Sequence, residues 1–537
     1  MKMDDFMNSE PLRNLRVDFS KFLLDLSIYS DGNLDKLIEL AVECFRKLSP
    51  DTLVVEKRQT VPNSQTIKKF YLLDTSEVVD SPDPTMSFQL DIFNSDASKL
   101  SDDAILQLLE ADVVKHPYLE EEIGDLERSV AIRRRYIENR TGTSLKDILF
   151  KGYNYDLVYK ACCENVIGFT SVPIGVVGPL RWNGESSYIP MATTEGALLA
   201  STNRGCKVIR ESGGAMVRVF QDEMTRAPMV RFEDGDQALQ FYNFIKDETN
   251  FDIMKERFES TTRYGKLLRI KPVVCADNII ILRFSAFTGD AMGMNMVTKG
   301  AEEVMKFLKT LFPTMDLLTV SSNYCSDKKA AQINWDEGRG KSVEASCIIP
   351  AKVVENVLRT TVDRMVDVGH SKCQIGASMA GTIGGWNCHA ANPVAAIFIA
   401  TGQDAAQVVS SSMCLTSWKK TETGDLKVSC LMKCLEVGTM GGGTILPSQN
   451  AALEMLKCAG GRKDEPGSNP KRLAKIVAAT ILAGEISLLA AQCTHTLVSS
   501  HMTLNRSKVK LNSGETGDVY PSNDKTEKLP EDCDHIL

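Results

Sequence analysis

The stretch 267–287 reads LLRIKPVVCADNIIILRFSAF, and the fold predicted for the middle of the chain rests on it. Its two apolar-rich runs, 267–275 and 279–287, flank a short Ala-Asp-Asn turn, which is the pattern of paired antiparallel strands. Two further strand-like runs and two helical patterns surround this pair, at 229–232, 317–321, 236–251 and 298–311. The resulting order predicts a ferredoxin-like βαββαβ unit, a fold that leaves the function open.

Apolar periodicity predicts further helices on both sides of this unit, at 101–110, 120–138, 194–211 and 352–368. We expect Ser101 to cap the first of them, Gly213 and its neighbour to end the third, and Gly369 to end the fourth. The apolar run 474–493 carries two charges, one of them Glu485, so it predicts a buried helix rather than a membrane span.

Composition limits the class of protein. The chain has 537 residues, 43% of them hydrophobic, and a formal net charge of −8, which indicates a soluble protein of two or three domains. The acidic balance argues against nonspecific nucleic-acid binding. The 15 cysteines include no Cys-x-x-Cys pattern and the six histidines show no ligand spacing, which favours reduced cytosolic thiols and no metal. No signal peptide is predicted, since the N-terminus lacks the required apolar core.

The segment 323–329 reads NYCSDKK and follows the strand-like run at 317–321. A lysine on a turn at a strand end, beside a carboxylate, can hold negative charge on a substrate oxygen. A Lys-Lys pair is also the ordinary composition of a solvated surface turn. Asp404 follows an apolar run, where a carboxylate needs a partner, and Lys328 is the candidate for it.

Two glycine-rich loops and two single residues are further candidates. The loop 289–295, between a strand and a helix, suits a phosphate, or is an ordinary connection. The run 438–444, GTMGGGT, indicates close packing against a cofactor or another chain, or a flexible linker. Glu195 and Arg204 fall on the helix predicted at 194–211, where Glu195 can simply favour the helix dipole and Arg204 can meet a phosphate. His501 is either catalytic or structural.

Residues from about 100 to 508 resemble the catalytic portion of eukaryotic-type (class I) 3-hydroxy-3-methylglutaryl-CoA (HMG-CoA) reductases. Seven motifs carry the resemblance in order: ENVIG at 164–168, MATTEG at 191–196, DAMGMNM at 290–296, DKK at 327–329, GQD at 402–404, GGGT at 441–444 and SHM at 500–502. The resemblance implies an oxidoreductase that reduces HMG-CoA with two NADPH, through mevaldyl-CoA and mevaldehyde, to mevalonate and CoA. In that family this is the committed step of isoprenoid and sterol synthesis.

The resemblance also implies the roles of particular residues. Glu195, Lys328, Asp404 and His501 take the catalytic positions, with the first three expected to lie together as one coupled set. Lys328 would stabilise the oxyanion formed at the thioester carbonyl, Glu195 would supply a proton, and His501 would protonate the departing thiolate.

The ligand contacts that the resemblance implies fall into three groups. Those for the HMG group are Arg226, Ser321, Asp327, Lys329, Lys372 and Asn392. Those for CoA are Tyr118, Asn203 and Arg204. Those for NADPH are Thr262, Arg263, Asp290, Met292, Met294, Asn295, Met440, Gly441 and Gly442, with Arg263 the contact for the 2′-phosphate.

The implied fold class is α+β. It comprises a large helix-rich substrate domain, an inserted ferredoxin-like βαββαβ NADPH-binding domain and a small N-terminal helical domain. The implied boundaries are an irregular linker at 1–97, the helical domain at 98–163, the large domain at 164–227 and 331–508, the NADPH domain at 228–320, a catalytic lysine loop at 321–330 and a disordered tail at 509–537. The resemblance further implies a site built between the subunits of a homodimer, which assembles to a homotetramer.

The chain departs from the family pattern at three places. Arg359 stands where relatives have a lysine near the CoA phosphate, and Ala330 stands where animal relatives often have proline, which predicts a looser loop. Ser507 matches an inhibitory phosphorylation site, although Leu504 occupies a position where the kinase prefers a base. The expected location is the cytosol for the chain as it stands. It is the endoplasmic reticulum membrane, facing the cytosol, if a membrane domain precedes it.

Two other functions stay open on the sequence. A catalytically dead homologue would bind CoA ligands or partners as a regulatory module. A CoA thioesterase or acyltransferase would use His501 and Lys328 without a nicotinamide site, against which the loops at 290–296 and 441–443 count.

Overall fold

The computed structural model of the protein describes residues 52–60, 66–74 and 97–494. The chain divides into two compact units, one of Met1–Tyr159 with Cys163–Thr170 and the other of Lys160–Cys162 with Ser171–Leu537. In the first unit, β1 (Thr52–Thr60) pairs antiparallel with β2 (Thr66–Asp74). The prediction of irregular structure over 1–97 is wrong for these two strands.

The helices of the first unit are α1 (Asp102–Glu110), α2 (Leu119–Ile123) and α3 (Leu126–Thr141), with 3-10 turns at Ala97–Lys99, His116–Tyr118 and Tyr155–Leu157. Ser101 accepts a hydrogen bond from the backbone N–H of Ala104, which confirms it as the cap of α1. The helix predicted at 120–138 is two helices, because Gly124 ends α2 in the left-handed region and Asp125 caps α3.

The strands of the second unit are β3 (Ile174–Trp182), β4 (Glu185–Ala192), β5 (Met216–Arg226), β6 (Met229–Arg231), β7 (Lys266–Val274), β8 (Ile279–Phe287), β9 (Asp316–Thr319), β10 (Gly340–Ile349), β11 (Gly385–Trp386), β12 (Cys414–Lys420) and β13 (Leu426–Leu435). β3 and β4 form a hairpin. The other nine form one sheet in the order β11-β12-β13-β10-β5-β8-β6-β9, with β7 also paired to β8.

The α-helices of the second unit are α4 (Leu198–Glu211), α5 (Gly235–Lys246), α6 (Phe251–Glu259), α7 (Met294–Leu311), α8 (Gln332–Glu337), α9 (Ala351–Val353), α10 (Val362–His370), α11 (Ala377–Met379), α12 (Ala391–Thr401), α13 (Val408–Ser411), α14 (Pro447–Met455) and α15 (Ser468–Cys493). π-helical turns occupy Val354–Leu358 and Ser371–Gly376. Short 3-10 turns occupy Glu248–Asn250, Ala405–Gln407 and Gly442–Ile445.

The ferredoxin-like prediction is confirmed by β6, α5, β7, β8, α7 and β9, which follow one another in the expected order. Their strands pair as β9-β6-β8-β7, and all of these pairings are antiparallel. The 3-10 turn Glu248–Asn250 and α6 are added between α5 and β7. Phenylalanine, valine and methionine side chains from these elements form a core of their own, separate from the core around α15.

Strand β5 belongs to both halves of the sheet. From Met216 to Glu223 it pairs with β10, and from Met224 to Arg226 it pairs with β8. The change of partner therefore falls at a single peptide, directly before the residues that enter the candidate site.

α15 is the central helix of the larger core. Its length and apolarity would suffice to cross a membrane, yet 89% of its most apolar window is buried inside the structure. This confirms the buried helix predicted over 474–493. Glu485 lies on this helix and is completely buried, so it requires internal hydrogen-bond partners.

Two predicted helices are wrong in their limits. The helix predicted at 194–211 begins at Leu198, because Ala197 adopts a left-handed conformation with φ of 72°, and Glu195 therefore precedes the helix. The helix predicted at 352–368 is interrupted at Arg359, which has φ of 58°. It resumes as α10 and continues through Gly369, where a Cβ would stand 2.5 Å from the Trp418 ring. Glycine there serves close packing rather than a helix end.

Candidate active site

Lys328 and Asp404 form the centre of the candidate site. The Lys328 Nζ lies 3.1 Å from Asp404 Oδ2, and both side chains keep partial exposure, at 45% and 34%. The pKa of Lys328 is raised, chiefly by its hydrogen bond to Asp404. The lysine therefore stands as a solvent-accessible cation held in one place by a carboxylate, which suits it to stabilise an oxyanion.

A buried asparagine holds the loop that carries Lys328. Asn334, at the start of α8, bonds the Ser326 hydroxyl and donates from Nδ2 to the backbone oxygens of Ser326 and Lys329, each at 3.3 Å. Lys328 itself adopts the left-handed conformation, with φ of 59°. Lys328 is thus exposed on a turn whose backbone is held at Ser326 and at Lys329.

Asp404 owes its position to the end of α12. Gly402 ends that helix with φ of 69°, and the Asp404 carboxylate accepts a hydrogen bond from the Ala406 N–H at 3.0 Å. A Cβ on Gly402 would lie 2.3 Å from the Gly443 carbonyl oxygen. The close approach predicted for the GGGT run is therefore made within the same chain, against the loop that carries Asp404.

A buried charge network, which the sequence reasoning missed, supports the lysine loop. Arg339 is fully buried and donates to Asp327 Oδ1 at 3.0 Å, to the Cys325 carbonyl at 2.8 Å and to the Thr225 hydroxyl at 2.7 Å. Its Nε lies 3.1 Å from Glu436 Oε1. Although burial opposes it, the pKa of Arg339 is raised by Glu436 and Asp327, so the guanidinium stays charged.

Glu436 is the weaker partner in that network. Burial raises its pKa, against the opposing effects of Arg339 and of the Ser410 hydroxyl, which bonds its Oε1. Its Oε2 has no hydrogen-bond partner within residues 97–494. The sequence signal for this network was a charge at the end of the apolar strand β13 and an arginine between two glycines.

Two residues predicted for the HMG group, Arg226 and Ser321, lie together beside Cys325 of the loop that carries Lys328. Arg226 donates from Nε to the Thr298 hydroxyl at 2.8 Å and from Nη1 to the Ser321 hydroxyl at 3.0 Å. The Cys325 sulfur lies 3.8 Å from the same Nη1. Although burial raises it, the pKa of Cys325 is lowered overall, first by its hydrogen bond with Ser321. Lys329 is exposed and donates to the Asp327 carbonyl.

Glu195 lies apart from this group within the chain. Its Oε1 accepts a hydrogen bond from Asn392 Nδ2 at 3.1 Å. Asn392 is in the first turn of α12, whereas Asp404 follows the other end of that 11-residue helix, about 16 Å away at the rise of an α-helix. The expectation that Glu195, Lys328 and Asp404 meet as one set therefore does not hold within a single chain.

The missed residue Glu485 anchors the segment before Asn392. Its carboxylate accepts from the backbone N–H groups of Cys388 and His389 at 2.7 and 2.8 Å, from the Thr416 hydroxyl at 2.9 Å and from His389 Nδ1 at 3.2 Å. Although burial acts to raise it, the pKa of Glu485 is lowered by these donors, led by His389. The buried carboxylate is thus ionised and fully satisfied.

The two glycine-rich loops face each other. Ala291 and Met440 form a parallel bridge, and a Cβ on Gly438 would stand 2.3 Å from the Met292 nitrogen. Beyond this contact, Gly441 and Gly442 have positive φ, and a Cβ on either would meet no described atom within 4 Å. The backbone there is open to a ligand, and the Met440 side chain beside it is 53% exposed.

Not every predicted nicotinamide contact is open. Asp290 is buried, and its carboxylate accepts from the Gly467 and Arg462 N–H groups at 3.1 and 2.9 Å, so it holds the start of α15. Thr262 accepts from the Gly265 N–H at 3.1 Å, while Arg263 is exposed. Met294 is buried and lies against Arg339, whereas Asn295 is exposed.

Two of the predicted CoA contacts, Asn203 and Arg204, are adjacent on α4. Asn203 accepts from the Gly178 N–H, and Arg204 donates to the hydroxyl and carbonyl oxygens of Ser487 at 2.9 and 2.7 Å. Burial lowers the pKa of Arg204. Arg204 thus joins α4 to α15 rather than projecting toward solvent. Tyr118 is half-exposed in the first unit. His501 and Ser507 lie outside the described residues.

Comparison with known proteins gives one family. The model of the hydroxymethylglutaryl-coenzyme A reductase family matches residues 129–506. The 3-hydroxy-3-methylglutaryl-coenzyme A reductase 1 of Dictyostelium discoideum is 46% identical over 411 residues, which are 76% of this chain and 74% of that protein. The corresponding reductase of Strongylocentrotus purpuratus is 44% identical over 449 residues, 82% of this chain and 48% of that protein.

A solved structure supports the same fold. The class II 3-hydroxy-3-methylglutaryl-CoA reductase from Streptococcus pneumoniae, bound to NADPH in open conformations, superposes with a TM-score of 0.51 at 19% identity. The match covers 74% of this chain and 98% of that one. Among the curated relatives, the chain spans about half the length of the sea-urchin protein and about three quarters of the Dictyostelium one.

Proposed function

Because the chain belongs to the hydroxymethylglutaryl-coenzyme A reductase family, we propose that it reduces HMG-CoA to mevalonate and CoA with two NADPH. The observation that carries the proposal is the Lys328–Asp404 pair, a held cation at 3.1 Å from its carboxylate in an otherwise open position. Arg226 and Ser321 lie beside Cys325 of the same loop and offer donors for a carboxylate.

The opposed loops fit a nicotinamide dinucleotide. Gly441 and Gly442 leave their backbone open, and the exposed Arg263 supplies a planar donor fork for a 2′-phosphate. When bound, NADPH supplies the hydride for each of the two reductions. Lys328 then holds the negative charge that develops on the carbonyl oxygen, and Asp404 keeps the ammonium aimed at that oxygen. Asp290 anchors the loop 289–295 by accepting hydrogen bonds from the backbone N–H groups of Arg462 and Gly467.

Glu195 completes the site only if a second copy takes part. Helix α12 separates it from Asp404 in one chain, so we propose a homodimer in which the Glu195 and Asn392 end of one subunit faces the Lys328 loop of the other. Glu195 would then supply the proton to the oxygen that Lys328 stabilises. Assembly of two dimers into a homotetramer is part of the same proposal.

We propose the domain limits in the same terms. The separate core between Met224 and Met315 supports a small NADPH-binding domain over 228–320, inserted in the large domain at 164–227 and 331–508. The remaining limits are a helical domain at 98–163 and the lysine loop at 321–330. Inhibition by phosphorylation at Ser507 and a location at the endoplasmic reticulum membrane are proposed from the family alone.

The direct test is NADPH absorbance with HMG-CoA, comparing wild type, Lys328→Ala and the surface control Lys420→Ala. We expect two NADPH oxidised per CoA released in wild type and the control. In Lys328→Ala we expect kcat to fall by about 100- to 1,000-fold, as for removal of an oxyanion donor. CoA release without NADPH oxidation would instead indicate a thioesterase. A folded wild type that binds HMG-CoA without turnover would indicate a regulatory module.

Subunit complementation tests the shared site. Glu195→Ala and Lys328→Ala chains, each inactive alone, should regain roughly a quarter of wild-type activity after denaturation and mixed refolding, since half of random dimers carry one intact site. No recovery in dimers that are shown to be mixed would contradict a site built from two chains.

A further inference from the structure

Two cysteines lie close together beside the Asn392 segment. Cys373 is in the π-helical turn Ser371–Gly376, and Cys388 lies between β11 and α12. Their sulfur atoms are 3.7 Å apart, within reach of a thiol hydrogen bond. π-helical turns are uncommon and are often found at functional sites. Neither cysteine belongs to the motifs that identify the family.

We propose that Cys373 and Cys388 form a redox site. A small hydroperoxide oxidises the two thiols to a disulfide, and this disulfide weakens HMG-CoA binding. The inference rests on the proposed function for its consequence, but the disulfide itself can be scored without any turnover. Oxidation removes two electrons from the two thiols, and the hydroperoxide is the named oxidant that accepts them.

The chemistry balances in two steps. The Cys373 thiolate attacks one oxygen of hydrogen peroxide, the O–O bond breaks, and a sulfenic acid and hydroxide form. Cys388 then loses its thiol proton as its sulfur attacks the Cys373 sulfur, the S–S bond forms, and the S–O bond breaks with release of a second hydroxide. With the two thiol protons, the products are one disulfide and two waters.

The surroundings assign different parts to the two thiols. The pKa of Cys373 is lowered, chiefly by its hydrogen bond with Cys388 and to a lesser degree by Trp418 and Lys372, whereas that of Cys388 is raised. Cys373 is therefore the attacking thiolate and Cys388 the thiol that donates to it. Cys373 is fully buried and Cys388 keeps partial exposure, so a molecule as small as hydrogen peroxide suits this buried pair better than a large disulfide.

A bound cation is the competing use of these thiols. The Glu485 carboxylate lies with both sulfurs within 4.8 Å, which is a possible three-ligand set. Each Glu485 oxygen, however, already accepts two hydrogen bonds: Oε1 from the His389 N–H and Nδ1, and Oε2 from the Cys388 N–H and the Thr416 hydroxyl. Binding a metal would break contacts that hold the buried charge, whereas a disulfide leaves all four in place.

Closure must shorten the sulfur separation from 3.7 Å to about 2.0 Å. The Cys388 backbone is tied to Glu485 on the central helix, so the movement falls on the π-helical turn. That turn carries Lys372, directly before Cys373, as the proposed contact for the HMG carboxylate. Withdrawal of the lysine would weaken substrate binding more than it slows the chemistry at Lys328.

The experiment starts from the full chain with Cys162→Ser and Cys163→Ser, because these adjacent cysteines are exposed and would react first. Hydrogen peroxide is titrated in, and peptide mass spectrometry then looks for the cross-link between Cys373 and Cys388. Cys388→Ala is the test variant, and Cys458→Ala, at a buried thiol whose pKa burial raises to about 12, is the matched control.

We expect the cross-linked peptide and a rise of about tenfold in the KM for HMG-CoA, with kcat changed less than twofold, both reversed by dithiothreitol. Cys388→Ala should show neither change, and Cys458→Ala should behave as its parent. The absence of the cross-link at peroxide levels that oxidise other cysteines would overturn the proposal, as would a cross-link that leaves KM unchanged. A cross-link in a protein that never turns over HMG-CoA would support the thiol pair and contradict the proposed function.

Discussion

Glu436 and Glu485 are both completely buried carboxylates, yet their environments act in opposite directions. Glu485 accepts four hydrogen bonds and its pKa is lowered despite burial. Glu436 shares one guanidinium with Asp327, has one oxygen without a partner in the described part of the chain, and its pKa is raised. Burial alone therefore does not set the charge of a carboxylate; the number of donors aimed at it does.

The two carboxylates also serve different tasks. Glu485 fixes the backbone before α12 and can be saturated with donors, because nothing needs to change there. Glu436 lies behind the lysine loop, where Arg339 must serve Asp327 at the same time. The under-satisfied carboxylate is thus the one next to the candidate site, where unusual electrostatics are concentrated in enzymes.

The largest expected effect is from Glu485→Ala. It leaves buried N–H and O–H donors without an acceptor and opens a cavity, so the free energy of unfolding should fall by about 3–5 kcal/mol. Urea denaturation measures it. Glu454→Ala, at an exposed glutamate of α14, is the control and should stay within about 0.5 kcal/mol of wild type. Equal losses in the two variants would mean that the four hydrogen bonds contribute nothing.

Arg339→Lys comes next. Lysine keeps the charge but cannot reach Asp327, Glu436 and the Cys325 carbonyl together, so the lysine loop should lose its support. We expect kcat to fall by about 30- to 100-fold, with a much smaller change in the KM for HMG-CoA, as for loss of charge-assisted hydrogen bonds of about 2–3 kcal/mol. If KM rises and kcat is preserved, Arg339 does not act through Lys328.

The opposite pKa shifts predict opposite dependences on pH. Because the pKa of Glu436 is raised by folding, its ionisation costs stability as pH rises from about 4, so Glu436→Gln should gain stability relative to wild type between pH 4 and pH 7. Glu485 has a lowered pKa and contributes stability above its unfolded pKa, so Glu485→Gln should lose more at pH 7 than at pH 4. Denaturation midpoints at the two pH values measure both. If the stability of both variants relative to wild type changed in the same direction from pH 4 to pH 7, the difference between the two carboxylates would be contradicted.

The smallest expected effect is from Ser410→Ala, which removes the hydroxyl that bonds Glu436 Oε1. We expect a loss of about 1 kcal/mol at neutral pH that shrinks at acidic pH, since the hydroxyl favours the ionised carboxylate. Ser411→Ala is the matched control, because its hydroxyl accepts from the Glu436 backbone N–H instead and its loss should not depend on pH.

Much of the fold could be predicted from local sequence signals. The βαββαβ unit followed from alternation, turns and helical periodicity, all of which are read over a few residues. The Ser101 cap and the buried α15 were equally local. The start of α4 was not, because the left-handed Ala197 has no sequence signature of its own, and neither was the interruption at Arg359.

In the candidate site, too, some contacts could be predicted from the sequence and others depend on the folded structure. Lys328 was paired with Asp404 by the need of a carboxylate for a cation, a chemical argument that works across any sequence separation. Arg339 could not be predicted in this way, because its partners come from β5, the lysine loop and the end of β13, and only the folded sheet brings them together. The separation of Glu195 from Asp404 likewise depends on the length of α12 in space.

The change of partner along β5 has a mechanical consequence. A rotation of the βαββαβ half against the rest of the sheet would be concentrated at the peptide between Glu223 and Met224, where the strand leaves β10 for β8. Two residues further on, the Thr225 hydroxyl and carbonyl both bind Arg339, which also holds the carboxylate beside Lys328. β5 would then transmit a rotation of the βαββαβ unit to Arg339, and this would displace Lys328.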